Sequence, residues 1–133
     1  MKVRIILAED HTIMREGLRT LLEKQQNFEV VAEAGDGRTA VRLTQELLPD
    51  VVVMDVNMPD LNGIEATRQI ITDNPGIKVI ALSMYSDKQF IVEMLQAGAS
   101  CYVLKDAAFE EILHAINCVV KGQTYLSPSI TTF

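Results

Sequence analysis

The sequence predicts an α/β fold in which a parallel sheet is covered by helices on both sides. Three observations carry that expectation. Short apolar runs alternate with segments of helical period along the chain, which is the pattern of repeated strand–helix units. The run Val51 to Met54 has no polar alternation, as in a strand covered on both faces. Each run is followed by a stretch long enough for the helical crossover that parallel neighbours require, with right-handed sense.

The elements follow in order. Val3 to Ala8 is continuous and largely β-branched, and predicts the first strand; Met14, Gly17, Leu18, Leu21 and Leu22 then recur at helical spacing to about Gln25. Phe28 to Ala34 predicts the second strand. Gly35-Asp36-Gly37 turns the chain into a helix with Ala40, Thr44, Leu47 and Leu48 on one side, and Pro49-Asp50 stops it. After the third strand, Asn62 and Glu65 have capping-box spacing for a helix carrying Ile64, Thr67, Ile70 and Ile71, which Pro75-Gly76 ends. Ile77 to Leu82 is the fourth strand. Ser86 and Gln89 repeat the capping spacing before a helix with Ile91, Met94 and Leu95 inward and Gly98 as its stop. Cys101 to Leu104 is a short fifth strand, and Asp106 can cap a last helix whose stripe is Phe109, Ile112, Leu113, Ile116 and Val119 or Val120. From Gln123 to Ile130 the period is lost, so residues 1–121 are expected to form the domain and 122–133 the start of a linker.

Composition narrows the function. The 133 residues carry 12 Lys and Arg against 18 Asp and Glu, a net charge of −6, which argues against a polyphosphate-binding surface on this chain itself. With 48% hydrophobic and 23% charged residues the chain reads as one folded domain rather than a disordered acidic segment. The longest apolar runs fall far short of the roughly 20 residues of a membrane span, and no secretory signal is visible, so no membrane association and a cytoplasmic location are expected. Cys101 and Cys118 have neither disulfide density nor metal spacing and read as ordinary thiols, Cys101 in the core. His11 and His114 are expected to face solvent, each without a second ligand at metal spacing.

Ligands of an open parallel sheet bind beyond the carboxyl ends of its strands, where the strand order reverses. Glu9 and Asp10 follow the first strand, Asp55 the third, Ser83 the fourth and Lys105 the fifth. Three carboxylates at one rim repel each other and call for a cation; all-oxygen donors suit Mg²⁺. A lysine and a hydroxyl opposite complete a cradle for a phosphoryl group, with Asp55 placed as a carboxylate nucleophile. Each residue has a plainer reading alone. Glu9-Asp10 can cap a helix, Lys105 can be a surface cation, Ser83 a turn hydroxyl and Tyr102 a packing residue. An apolar strand ending in a carboxylate is harder to explain without a partner.

Four separated motifs, Glu9-Asp10, Met54 to Gly63 (MDVNMPDLNG), Ala81-Leu82-Ser83 and Tyr102-Val103-Leu104-Lys105, occur in one order along the chain. With them the chain resembles the receiver domains of two-component response regulators. Asp10 to Leu18 (DHTIMREGL) and the Tyr102 to Asp106 ending are similar to the NarL/FixJ-like subfamily, in which a LuxR-type helix-turn-helix usually follows. The resemblance implies a flavodoxin-like five-stranded sheet of order 2-1-3-4-5 with five helices on both faces. It implies that Asp55 accepts a phosphoryl group from a sensor histidine kinase, and that Mg²⁺ is held by Asp10 directly, Glu9 mainly through water, Asp55, and the carbonyl of Asn57. Lys105 would pair with the phosphoryl oxygens. Ser83 would swing toward them while Tyr102 rotates inward, changing the surface of the fourth helix, fifth strand and fifth helix. A phosphorylation-dependent homodimer is implied, with DNA contacted only through an output domain that this chain lacks. The chain would then be a phosphoacceptor that catalyses its own phosphorylation and dephosphorylation, and not a conventional enzyme.

Two positions depart from the common pattern. Asp106 stands where many receivers carry proline, so a cis peptide is not implied, and Met84 is bulkier than the usual small residue beside Ser83. Two other readings stay open. Asp55-Val56-Asn57 echoes the Asp-x-Asp of haloacid-dehalogenase-like phosphatases, with Asn57 in place of the general acid/base. The other is a receiver-like module that dimerises without phosphorylation.

Overall fold

A computed structural model describes residues 2–85, 87–106 and 109–127. The elements alternate as β1 (Val3–Ala8), α1 (Thr12–Glu23), β2 (Phe28–Ala34), α2 (Gly37–Leu47), β3 (Val51–Asp55), α3 (Gly63–Asp73), β4 (Lys78–Ser83), α4 (Lys88–Gln96), β5 (Cys101–Leu104), α5 (Phe109–Val120) and β6 (Tyr125–Leu126). All strands are parallel, in the order β2-β1-β3-β4-β5-β6. The expected order of the first five is borne out. The expected count of five is corrected to six, because Tyr125–Leu126, in the segment read as the start of a linker, pairs with Cys101 and Tyr102 on the edge of β5.

Alternation along the strands builds two cores from one sheet. Ile5 and Leu7 join Val51, Val53, Ile80 and Leu82 under Leu18 and Leu22 of α1 and Ile112, Ala115, Ile116 and Val119 of α5. Ile6 and Ala8 join Val52, Met54, Val79 and Ala81 under Ala40 of α2, Ala66 and Ile70 of α3, and Ile91 and Met94 of α4. Strands covered on both faces have no solvent side, which is why β3 and β4 lack polar alternation.

Helix ends follow the local chemistry. Asp36 accepts from the Thr39 N–H at 2.8 Å and Asn62 from the Glu65 N–H at 2.9 Å, the two N-caps of α2 and α3. α4 is capped by Asp87 without a side-chain bond; the expected cap Ser86 lies outside the described residues, as do the two residues between Asp106, the expected cap of α5, and the start of that helix at Phe109. Gly98 stops α4 with φ +115, its N–H on the Leu95 carbonyl and the Ala99 N–H on the Met94 carbonyl, both at 3.1 Å.

Three residues expected on inward faces are not there. Leu48 is 55% exposed because α2 ends on it in the left-handed conformation (φ 48) before Pro49, which turns it out of the apolar stripe. Leu95 sits one position past Met94 and falls at the exposed edge of the buried stripe of α4, while on α5 the stripe left open between Val119 and Val120 falls on Val119, which is buried. Phe109 is also partly exposed, its ring lying over Gly17 of α1. Cys101 is buried as expected, and burial pushes its thiol up to about 12.

Candidate functional site

The strand order reverses between β1 and β3. β1 leads to β2 on one side and pairs with β3 on the other, with Ala8 opposite Met54 at their carboxyl ends. Glu9, the residue after β1, and Asp55, the last of β3, are thereby side by side, each 1% exposed. Lys105, the residue after β5, reaches across β4 so that its Nζ lies 2.8 Å from Glu9 Oε1 and 3.0 Å from Asp55 Oδ2. Asp10 sits at the rim, its side chain 33% exposed.

Backbone groups fix these side chains. The Asn57 N–H donates to Asp55 Oδ1 at 3.0 Å, and the Val56 N–H donates to the Leu82 carbonyl, so the turn after β3 stays on β4. α3 begins hard against the same turn. The Gly63 N–H donates to the Val56 carbonyl at 2.9 Å, and a Cβ at Gly63 would lie 2.1 Å from the Asp55 carbonyl oxygen. Only glycine allows that approach. Gly63→Ala is expected to destabilise the protein by about 2 kcal/mol or more, read by denaturant unfolding, because backbone must move to admit the methyl. Gly76→Ala, where nothing lies within 4 Å, is the control and is expected to change stability little.

The charges at the site are unequal in environment. Burial and the neighbouring Glu9 carboxylate push Asp55 up to about 7, against the opposing hydrogen bonds from Lys105 and the Asn57 N–H. For Glu9, burial acts upward, but the Lys105 ammonium, the His11 N–H and Asp55 outweigh it and hold it below the ordinary carboxylate range. Burial acts to lower Lys105, and the two carboxylates together raise it. Glu9 and Asp55 titrate as a pair that retains a proton more readily than isolated carboxylates do.

The plainer readings of these residues separate here. Glu9 and Asp10 do not cap α1, whose N-cap is His11 with no side-chain cap bond. Lys105 is not a solvated surface lysine. Ser83 does serve as a turn hydroxyl, accepting from the Tyr85 N–H at 2.9 Å. Tyr102 is fully buried and donates from its hydroxyl to the Tyr85 carbonyl at 2.8 Å, so its ring already points inward. The exposed side chain of Met84 lies at the mouth, beside Lys105, His11, Met14 and Asp106. The described backbone has no cis peptide.

His11 is a correction. It is exposed as expected, but it does have neighbours suited to a metal: its Nδ1 lies 3.2 Å from Glu9 Oε2 and 3.5 Å from Asp10 Oδ1, and Glu9, Asp10, His11 and Asp55 offer ligand atoms all within 4.8 Å of one another. The signal was sequence adjacency to the acidic pair, which spacing rules for helices do not weigh. Arg15 was missed as well. Its Nη1 donates to the Glu9 carbonyl at 2.7 Å and its Nε pairs with Glu33 Oε1 at 3.2 Å, which ties the turn after β1 to β2.

A metal fits this donor set. Three carboxylates converge, and the buried Glu9 Oε1 lies against Lys105 without a well-directed hydrogen bond, leaving acceptor capacity at the centre of the cluster.

Comparison with known proteins agrees with the geometry. The family described as the response regulator receiver domain matches residues 5–117. The transcriptional regulatory protein DegU of Brevibacillus brevis is 40% identical over 130 residues, covering 98% of this chain and 55% of DegU. The crystal structure of a LuxR-family two-component response regulator from Aurantimonas sp. SI85-9A1 superposes with TM-score 0.93 at 40% identity, over 98% of this chain and 93% of that one. The signal receiver domain of the putative response regulator NarL from Mycobacterium tuberculosis gives TM-score 0.88 at 32% identity, over 92% and 98% of the two chains. The chain spans 55% to 60% of the length of the curated relatives it matches first. The chain belongs to the response regulator receiver domain family, and the relatives it matches include regulators of the LuxR and NarL type.

Proposed function

We propose that this chain is a phosphorylation switch in which Asp55 accepts a phosphoryl group from a sensor histidine kinase. The observation that carries the reading is the Asp55 carboxylate, almost fully buried at the reversal point with Nζ of Lys105 at 3.0 Å and two further carboxylates beside it. A carboxylate held this way has little role in packing and every requirement for a transferring phosphoryl group.

In the proposed step an Asp55 oxygen forms a bond to phosphorus as the phosphorus–nitrogen bond of a phosphohistidine breaks. The electron pair of that bond leaves with the imidazole. Lys105 is released from its pair with Asp55 to meet the new negative charge. Ser83 turns from the Tyr85 N–H to donate to a phosphoryl oxygen. Asp10, Asp55, Glu9 and the Asn57 carbonyl are the groups that would hold Mg²⁺, which would supply charge neutralisation when bound. Hydrolysis of the same acyl phosphate by water returns Asp55, so the domain catalyses both its phosphorylation and its dephosphorylation.

Phosphorylation shifts a population only by the difference in its contacts with two states. Those contacts fall on Ser83 and Lys105, at the ends of β4 and β5, and the surface of α4, β5 and α5 is the one they control. The reading extends to a phosphorylation-dependent homodimer and, in a longer protein, to a DNA-binding output domain reached through a linker whose residues 128–133 lie outside those described. No described helix is long and apolar enough to cross a membrane, and the cytoplasm is the compartment this reading implies.

Incubation with a small phosphodonor and Mg²⁺, followed by intact-mass measurement, tests the reading. A single, slowly lost phosphoryl adduct that needs Mg²⁺ is expected. Multiple-turnover phosphate release from ordinary phosphomonoesters would instead point to a phosphatase, and no adduct with any donor to a module that works unphosphorylated.

A further inference from the structure

The C-terminal strand is joined to the site through backbone groups. β5 carries Tyr102 and, one residue past its end, Lys105, and its outer edge is covered by β6. Beyond β6 the ladder continues through one side chain. The Ser127 N–H donates to the Tyr102 carbonyl at 3.0 Å, and the Leu104 N–H donates to Ser127 Oγ at 3.1 Å. Tyr102 O and Leu104 N lie two residues apart and so share the outer side of the strand. Ser127 is 2% exposed and Leu104 8%, so the Leu104 N–H is shielded from water and this hydroxyl is its partner. The position is costly to leave unsatisfied.

The same bonds form a closed circuit. From Ser127 it runs to Tyr102, whose hydroxyl donates to the Tyr85 carbonyl at 2.8 Å; the Tyr85 N–H donates to Ser83 Oγ at 2.9 Å. From Ser83 it returns by the carbonyl, which accepts from the Lys105 N–H at 2.7 Å, and Lys105 follows Leu104, whose N–H rests on Ser127. Any phosphoryl contact that turns Ser83 or pulls Lys105 therefore acts on groups bonded to the C-terminal strand. The two residues of β6 also pack by their side chains, Tyr125 against one core with its ring edge-on to His114 and Leu126 against the other, and Ser127 supplies the backbone anchor just beyond them.

We infer that Ser127 is a positioning residue: it fastens β6 to β5 one residue before Lys105, so that attachment of the C-terminal strand and occupancy of the Asp55 pocket are thermodynamically coupled. This rests on the phosphoryl-acceptor reading of Asp55 and adds the element that reports the pocket to whatever follows in a longer chain. Coupling of this kind is reciprocal: if a phosphoryl group tightens β6, loosening β6 weakens the phosphoryl group's hold by the same factor.

The test titrates the 133-residue chain with beryllium fluoride, a phosphoryl mimic, in the presence of Mg²⁺ by calorimetry, and follows amide exchange over residues 122–127 with and without it. In the unaltered protein the mimic is expected to slow exchange there by about fivefold or more, and Ser127→Ala to weaken its binding by a similar factor, about fivefold. Ser127→Thr, which keeps the hydroxyl, is expected to restore affinity toward that of the unaltered protein. A merely structural serine would give faster exchange in Ser127→Ala with unchanged affinity, and exchange in the unaltered protein that ignores the mimic; that result overturns the inference even if the variant folds poorly, since its second half needs no variant. Absence of any mimic binding to the unaltered protein overturns the Asp55 reading itself, and the inference with it.

Discussion

With Asp55 replaced by asparagine, phosphoryl uptake from a small donor is expected to vanish, a loss of about a hundredfold or more, while the metal-free protein becomes more stable at alkaline pH. The first effect follows from removing the nucleophilic oxygen, since the amide cannot form a stable acyl phosphate. The second follows from proton linkage. Asp55 is held at about 7 in the folded chain against 3.8 ordinarily, so the folded state binds more protons than the unfolded one between those values. The stability that comes from this group is fully present below pH 3.8 and is lost as pH rises through about 7. Glu9, shifted downward, acts the other way: its contribution is present above 4.5 and is lost only as pH falls below it. Above 4.5 the change with pH comes from Asp55, so the two contributions do not cancel there. Thermal melts without divalent cation are therefore expected to show Asp55→Asn above the unaltered protein by about 5 °C or more at pH 8, with the gap closing toward pH 4. Added Mg²⁺ is expected to narrow the gap at pH 8 by stabilising the protein that keeps its carboxylate. Equal melting temperatures at pH 8 would mean that Asp55 and Glu9 do not burden one another.

Lys105→Met carries the second large effect, and its sign is opposite. Lys105 neutralises two carboxylates that are almost wholly buried, and its own side chain is only 11% exposed. Removing one partner of a buried ionic cluster leaves the other charge uncompensated, and the expected cost is about 2–4 kcal/mol at neutral pH. Uptake of a proton by the Glu9–Asp55 pair limits that cost, so the variant recovers relative stability as pH falls toward 5. The double variant Asp55→Asn/Lys105→Met is expected to be more stable than Lys105→Met alone, since the amide removes the charge the lysine was balancing; the residues touch, so the two effects do not add. Phosphoryl uptake by Lys105→Met is expected to fall sharply even under conditions where it is folded, because the charge developing on the transferring group has lost its protein cation. A Lys105→Met protein with unchanged melting temperature and unchanged uptake would contradict both roles.

Much of this site could be read from the chain because burial on both faces simplifies the code. β1, β3, β4 and β5 lack polar alternation, so the first polar residue after each run marks a carboxyl end, and Glu9, Asp55, Ser83 and Lys105 fall there. What could not be read depends on contacts made outside a regular period. Tyr125 and Leu126 form a strand only because the edge of β5 is open to them, and two residues are too few to show a period. His11 joins the acidic cluster through the geometry of one turn, and Arg15 reaches the Glu9 carbonyl from the next helix. Leu48 and Leu95 have inward-looking spacing but sit where a helix ends or its buried stripe narrows. Tyr102 was expected to rotate inward on phosphorylation, and it is already inward, with its hydroxyl on the Tyr85 carbonyl; from this conformation the adjustments the proposed phosphorylation would call for are those of Ser83 and Lys105.

Locating the phosphoryl group on the chain decides whether Asp55 is the acceptor. After incubation with a small phosphodonor and Mg²⁺, borohydride reduces an acyl phosphate to the alcohol, so a phosphorylated aspartate is converted to homoserine and can be placed by peptide sequencing in a mass spectrometer. Homoserine is expected at position 55 alone, dependent on Mg²⁺ and absent from Asp55→Asn. Homoserine at position 10, or a label that persists undiminished in Asp55→Asn, would contradict that role.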